Sequence, residues 1–139
     1  MDSETEMRKV KKPLRICVVT FPSASESIYV LLSDLLKILE PLSDRLIVLT
    51  GGMPENKLPS KKVQVVDVNT TMPPRQSIHP AWISTLILAL KNMSIQVKMA
   101  RAMLKVSKDI DVAIFFIGIP SLLLPMLIAK IRRNKVVWY

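Results

Sequence analysis

The run LRICVVTFPSASESIYVLLSDLLKILEPL, residues 14–42, decides the fold. Its opening, Arg15 to Phe21, is short, apolar and β-branched, and Pro22 stops it, as expected of a buried strand. Ser23-Ala24-Ser25-Glu26 then has the S-x-x-E form of a capping box, in which a serine hydroxyl and a glutamate satisfy the first free N–H groups of a helix. Ile28, Leu32, Leu35, Leu39 and Leu42 follow at spacings of four, three, four and three, one helical face closing near Pro41. A buried strand that hands over at once to an amphipathic helix is half of a β-α-β unit.

The same alternation continues downstream. Residues 45–50 (RLIVLT) form a second strand, followed by turn chemistry in Gly51-Gly52-Met53-Pro54. A third strand is expected over residues 63–68, and a proline-rich loop, with Pro73, Pro74 and Pro80, over residues 69–80. The next helix spans about residues 81–108, with Trp82, Leu86, Leu90, Met93, Val97, Ala100 and Leu104 at helical spacing. Its length invites a break or kink. Lys91, Lys98 and Lys105 recur every seven residues along another face, with Arg101 beside them. Residues 111–117 (DVAIFFI) read as a fourth strand, 121–133 as a helix with Pro125 near its first turn, and 135–139 as a fifth strand. The order β-α-β-β-α-β-α-β implies an α/β fold, a mostly parallel sheet covered by helices on both faces. Residues 1–13, acidic and then basic, are a flexible charged lead-in without the apolar segment of a secretory signal.

Composition narrows the chemistry. In 139 residues there are three glycines, where ordinary usage would give about ten. One Cys and one His exclude a disulfide framework, a Cys/His zinc site and paired-histidine sites. No metal site and no catalytic residue is assigned. Cys17, in mid-strand, reads as a small buried hydrophobe, and the eight methionines as packing residues. His79 stands alone in the proline-rich loop, with no partner to make it a base. The loop after the first strand, T-F-P-S-A-S-E-S, lacks the glycines of a dinucleotide fingerprint, and no P-loop occurs. Nor is Ser23 flanked by the glycines of a nucleophile elbow.

Two readings of residues 112–129 compete, since these 18 residues carry no charge and meet the length for a membrane span. The first half is β-branched and aromatic, the middle is Gly-Ile-Pro and the second half is leucine-rich, a division that favours strand, turn and helix over one span. The net charge of +9, the apolar start of the long helix and its cations Lys91, Lys98, Arg101 and Lys105 together suit an anionic membrane surface. Nucleic acid is the competing polyanion, but aromatic residues are few and no nucleic-acid-binding motif is present, so none is expected as partner.

In an open parallel sheet, ligands gather outside the carboxyl ends of the strands. Here those ends lead into residues 21–25, 50–52 and 118–121. Backbone N–H groups at the start of the first helix can hold an anion, with Ser23 and Ser25 assisting. The plainer alternative is that Ser23 only caps its helix.

The strand, helix, Leu39-Glu40-Pro41-Leu42-Ser43-Asp44 corner and second strand of residues 14–52 resemble the start of a family 4-type glycosyltransferase. Residues 111–118, the helix from Ser121 to Lys130 and the strand at 134–137 are similar to that family's fourth strand, following helix and fifth strand. The resemblance, of pattern and order, covers about residues 14–139. It implies the GT-B architecture: two Rossmann-like domains facing a cleft, the amino-terminal one handling the acceptor and the other binding a nucleotide-sugar donor. It further implies sugar transfer with retention of configuration, no metal and no cofactor beyond the donor substrate, and a place in the cytoplasm or peripherally on the inner membrane face. Residues 14–139 would then be a partial amino-terminal domain, incomplete at its carboxyl end, whose partner is a missing carboxyl-terminal donor domain. By itself such a chain is expected not to transfer sugar. Pro22, Ser23, Ala24, Ser25, Gly118 and Ser121 are expected to line its side of the cleft and bind acceptor or donor phosphate. The family commonly has a glycine pair after its first strand; Ser23-Ala24-Ser25 stands there instead.

Overall fold

The computed structural model describes residues 14–20, 26–51, 62–70, 81–116 and 122–139. Its elements are β1 (Leu14–Thr20), α1 (Glu26–Leu39), a 3-10 turn (Glu40–Leu42), β2 (Ser43–Thr50), β3 (Val63–Asp67), α2 (Ala81–Val106), β4 (Val112–Phe116), α3 (Leu123–Ile131) and β5 (Lys135–Trp138). The five strands form one sheet in the order β3-β2-β1-β4-β5, every pair parallel. This is a Rossmann-like α/β fold.

Side chains alternate across a strand, so each central strand feeds two cores. Ile16 and Val18 of β1, Leu46 and Val48 of β2, and Ile114 and Phe116 of β4 point to one face, where Leu32, Leu35 and Leu36 of α1 cover them. Cys17 and Val19, Ile47 and Leu49, and Ala113 and Phe115 point to the other, under α2 and α3. Handedness dictates the division. A right-handed crossover from β1 to β2 puts α1 on one face; the chain then moves the opposite way, to β4 and on to β5, and α2 and α3 land on the other. At the amino edge Asp111 clasps β1: its carboxylate accepts from Arg15 Nε at 3.2 Å, Nη2 at 3.0 Å and the Arg15 N–H at 3.1 Å. The guanidinium pKa is raised, first by these hydrogen bonds and then by the charge of Asp111.

Three expectations are corrected. The stripe from Trp82 to Leu104 does not face the sheet: only Ala100 of it is buried, while Ile95, Met99 and Met103 enter the core. Two apolar stripes share this helix at helical spacing, and periodicity alone cannot say which meets the sheet. Leu42 is exposed because α1 ends at Leu39 and Leu42 lies in the 3-10 turn that leads into β2, while Leu36, outside the expected stripe, is buried. α2 is continuous over its 26 residues, without the expected break. The span reading of 112–129 also falls, since Val112–Phe116 is a strand paired on both sides. Among the described residues no helix is long and apolar enough to cross a membrane.

α3 closes in a Schellman motif: the Asn134 N–H donates to the Ala129 carbonyl and the Arg133 N–H to the Lys130 carbonyl, each at 3.0 Å. The left-handed position of that motif, φ 62°, falls to Arg133 rather than glycine. Asn134 also donates through Nδ2 to the carbonyls of Ser107 (3.2 Å) and Ile110 (2.7 Å), tying the end of α2 to β5.

Met99 is fully buried and Met93 is 62% exposed on the same helix. Met99→Ala is expected to cost about 2–5 kcal/mol in urea unfolding through the cavity it leaves, and Met93→Ala no more than about 0.5 kcal/mol. Arg133→Gly is expected to raise stability by about 1 kcal/mol, because glycine adopts the left-handed conformation without a Cβ clash.

Candidate functional site

With every strand parallel, all five carboxyl ends share one edge of the sheet. The chain leaves β1 toward β2 and β3, then returns to the far side of β1 as β4. The order therefore reverses between β1 and β4, and the crevice outside such a reversal is where open α/β sheets bind ligands. The last residues of these strands, Thr20 and Phe116, are register partners. Residues 21–25 and 117–121 thus depart from neighbouring points. Pro22, Ser23, Ala24, Ser25, Gly118 and Ser121, like His79, lie outside the described residues, and of the capping box only Glu26, the first residue of α1, is described. The strands that carry them to this edge are described, and they are adjacent.

The described residues of the edge are mostly neutral. Thr20, Thr50, Gly51 and Phe116 are buried, and Tyr139 stacks on Phe116 with ring centroids 5.8 Å apart. The Thr50 carbonyl accepts from the Val68 N–H at 2.9 Å, carrying the β2–β3 ladder past the strand end. Asn69, at φ 50°, donates its N–H to Asp67 Oδ1 at 2.7 Å. Thr70 follows, buried, and its Oγ1 has no hydrogen-bond partner among the described residues. Sequence reading missed Asp67, Asn69 and Thr70 as edge residues; the signal was the polar pair Asn69-Thr70 directly after an apolar strand. Hydroxyls, backbone N–H groups and one carboxylate can bind and orient a polar ligand.

Cys17 is no nucleophile. It lies in mid-strand under α2 and α3, and burial pushes its thiol from an ordinary 9.0 up to about 12. Among the described residues no group of three or more His, Cys, Asp or Glu is placed to hold a metal ion. Lys91, Lys98, Arg101 and Lys105 are all exposed along α2.

No protein-family model and no curated protein matches the sequence. Solved structures do match the fold. A UDP-glycosyltransferase from Phytolacca americana, UGT2, complexed with UDP-2-fluoro-glucose and pterostilbene, aligns with a TM-score of 0.61 and 15% identity over 93% of this chain. The chain spans 31% of that protein. Two structures of the carboxyl-terminal domain of the PF1911 hydrogenase from Pyrococcus furiosus align with TM-scores of 0.58 and 0.57, at 10% and 11% identity. The alignments cover 91% and 94% of this chain and 92% and 97% of those domains. At these identities the likeness is one of fold.

The unfolded Cys17 thiol ionises near pH 9 and the buried one at about 12. Its contribution to stability is therefore fully present below pH 9 and is lost as pH rises from 9 to 12. At pH 8 a thiol reagent is expected to label the native protein only as fast as it unfolds. Rapid stoichiometric labelling would show the thiol to be accessible.

Proposed function

We propose that residues 14–139 are the acceptor-side, amino-terminal part of a GT-B glycosyltransferase of the family 4 type, which transfers a sugar from a nucleotide-sugar donor. The observation that carries this reading is the reversal of strand order between β1 and β4, in a sheet whose fold matches a UDP-glycosyltransferase over 93% of this chain. Pro22, Ser23, Ala24, Ser25, Gly118 and Ser121 follow the two strands at that reversal. Their role is binding: serine hydroxyls and backbone N–H groups donate to acceptor or phosphate oxygens, and none of them moves a proton. Ala24 and its flanking serines carry Cβ atoms where a glycine pair would let backbone and phosphate meet more closely. The donor domain, with the groups that complete the cleft, is supplied from outside this sequence.

A second reading is a stand-alone Rossmann-like binding domain. What supports it is that a domain of the same extent, the PF1911 carboxyl-terminal domain of a longer protein, has this fold.

Amide NMR during titration with UDP- and GDP-sugars tests the site. Shifts are expected at Thr20, Gly51 and Phe116, with none at Arg15 or Asp111 on the opposite edge, and no sugar turnover by the chain alone. Ser23→Ala combined with Ser25→Ala is expected to weaken that binding about tenfold, the worth of one or two hydrogen bonds. Shifts centred on the amino edge, or none at millimolar ligand, would overturn the assignment. Reading the coding sequence past Tyr139 separates the two functions. An open frame encoding a second α/β domain with paired glutamates supports the glycosyltransferase, and a stop codon supports the binding domain.

A further inference from the structure

At about 100° per residue, α2 divides into three stripes. With Trp82 at zero, the buried Ile95, Met99 and Met103 fall at about 220–300° by that rule. Leu86, Leu90, Met93 and Val97 fall at about 20–80°, turned away from the sheet, and Lys91, Lys98, Arg101 and Lys105 beside them at about 100–180°. The outward apolar stripe is well exposed: Trp82 70%, Leu86 55%, Leu90 60%. α2 contains no Asp or Glu. Neither does the neighbouring segment from Leu122 to Tyr139, which holds Lys130, Arg132, Arg133 and Lys135.

We propose that α2 is a docking element for an anionic lipid membrane. It lies flat on the surface, with Trp82, Leu86, Leu90 and Met93 among the acyl chains and Lys91, Lys98, Arg101 and Lys105 at the headgroups. The inference stands independently of the glycosyltransferase reading. Exposed apolar residues alone do not carry it, because α1 on the opposite face also exposes Val30, Leu31 and Ile38. Charge separates the two helices. α1 has Asp34 paired with Lys37 at 3.0 Å, and Glu40 follows in the 3-10 turn, whereas the charges of α2 are all cationic. A polyanionic plane complements that stripe along about 21 Å, the rise from Lys91 to Lys105 at 1.5 Å per residue. A second copy of the chain would bring two such cationic stripes together, and like charges repel across a shared apolar seam. Interfacial helices that carry Lys and Arg beside Trp and Leu bind by apolar burial plus attraction to anionic headgroups.

Vesicle co-sedimentation tests the proposal, with phosphatidylcholine alone and phosphatidylcholine mixed with phosphatidylglycerol. The chain is expected to bind only the mixed vesicles and to leave them as salt is raised from about 0.1 to 1 M, where the screening length falls from about 10 to 3 Å. Replacing Lys91, Lys98 and Lys105 with Gln is expected to weaken partitioning about 100-fold, near fivefold per lysine. Leu86→Ser with Leu90→Ser is expected to abolish binding, whereas Leu31→Ser with Ile38→Ser on α1 leaves it unchanged. In a Trp138→Phe background, Trp82 emission is expected to shift to shorter wavelength on binding. Equal binding to both vesicle types, no binding at all, or indifference to the lysine changes would overturn the proposal. So would a solution dimer that Leu86→Ser and Leu90→Ser convert to monomer, which assigns the stripe to a second copy.

Discussion

An all-parallel sheet leaves no face free for water, and the architecture follows from that constraint. The β-branched runs of β1, β2 and β4 are buried on both sides, so every other residue needs its own apolar cover. Right-handed crossovers allot that cover, α1 to one face and α2 with α3 to the other. Parallelism also brings all the carboxyl ends to one edge. The strand reversal beside β1 then selects one gap on that edge, so burial, handedness and the location of the candidate site share a single cause.

Strand identity and succession along the chain were readable because each strand is a short β-branched run bounded by proline, glycine or polar residues. The core face of α2 was not. Its sequence holds an apolar stripe through Trp82, Leu90 and Val97 that is longer than the one through Ile95, Met99 and Met103, and periodicity records spacing rather than direction. The deciding factor is three-dimensional: two unbranched methionines, adaptable in shape, fill the space above Cys17, Ile47 and Phe115. At the sheet edge, sequence named the loops after β1 and β4 but could not show that these two strands are neighbours. That pairing spans nearly a hundred residues and leaves no local trace.

Glycine scarcity shapes details that composition alone does not explain. Among the described residues, two left-handed positions fall to residues other than glycine, Asn69 and Arg133. Asn69 tolerates that conformation and donates its N–H back to Asp67. Arg133 has no such help, and it sits among Lys130, Arg132 and Lys135, so a conformational cost is borne where a cation stands.

The sorting of charge between the two faces of the sheet makes the described part of the molecule an electric dipole, with its axis roughly across the sheet. Because the chain also carries a net charge of +9, a field both draws it and turns it. Near a charged plane the torque begins within about a screening length, ~8 Å at physiological ionic strength, ahead of any contact. The rotational search for the right face is thus shortened by the field itself, and approach and alignment become one event.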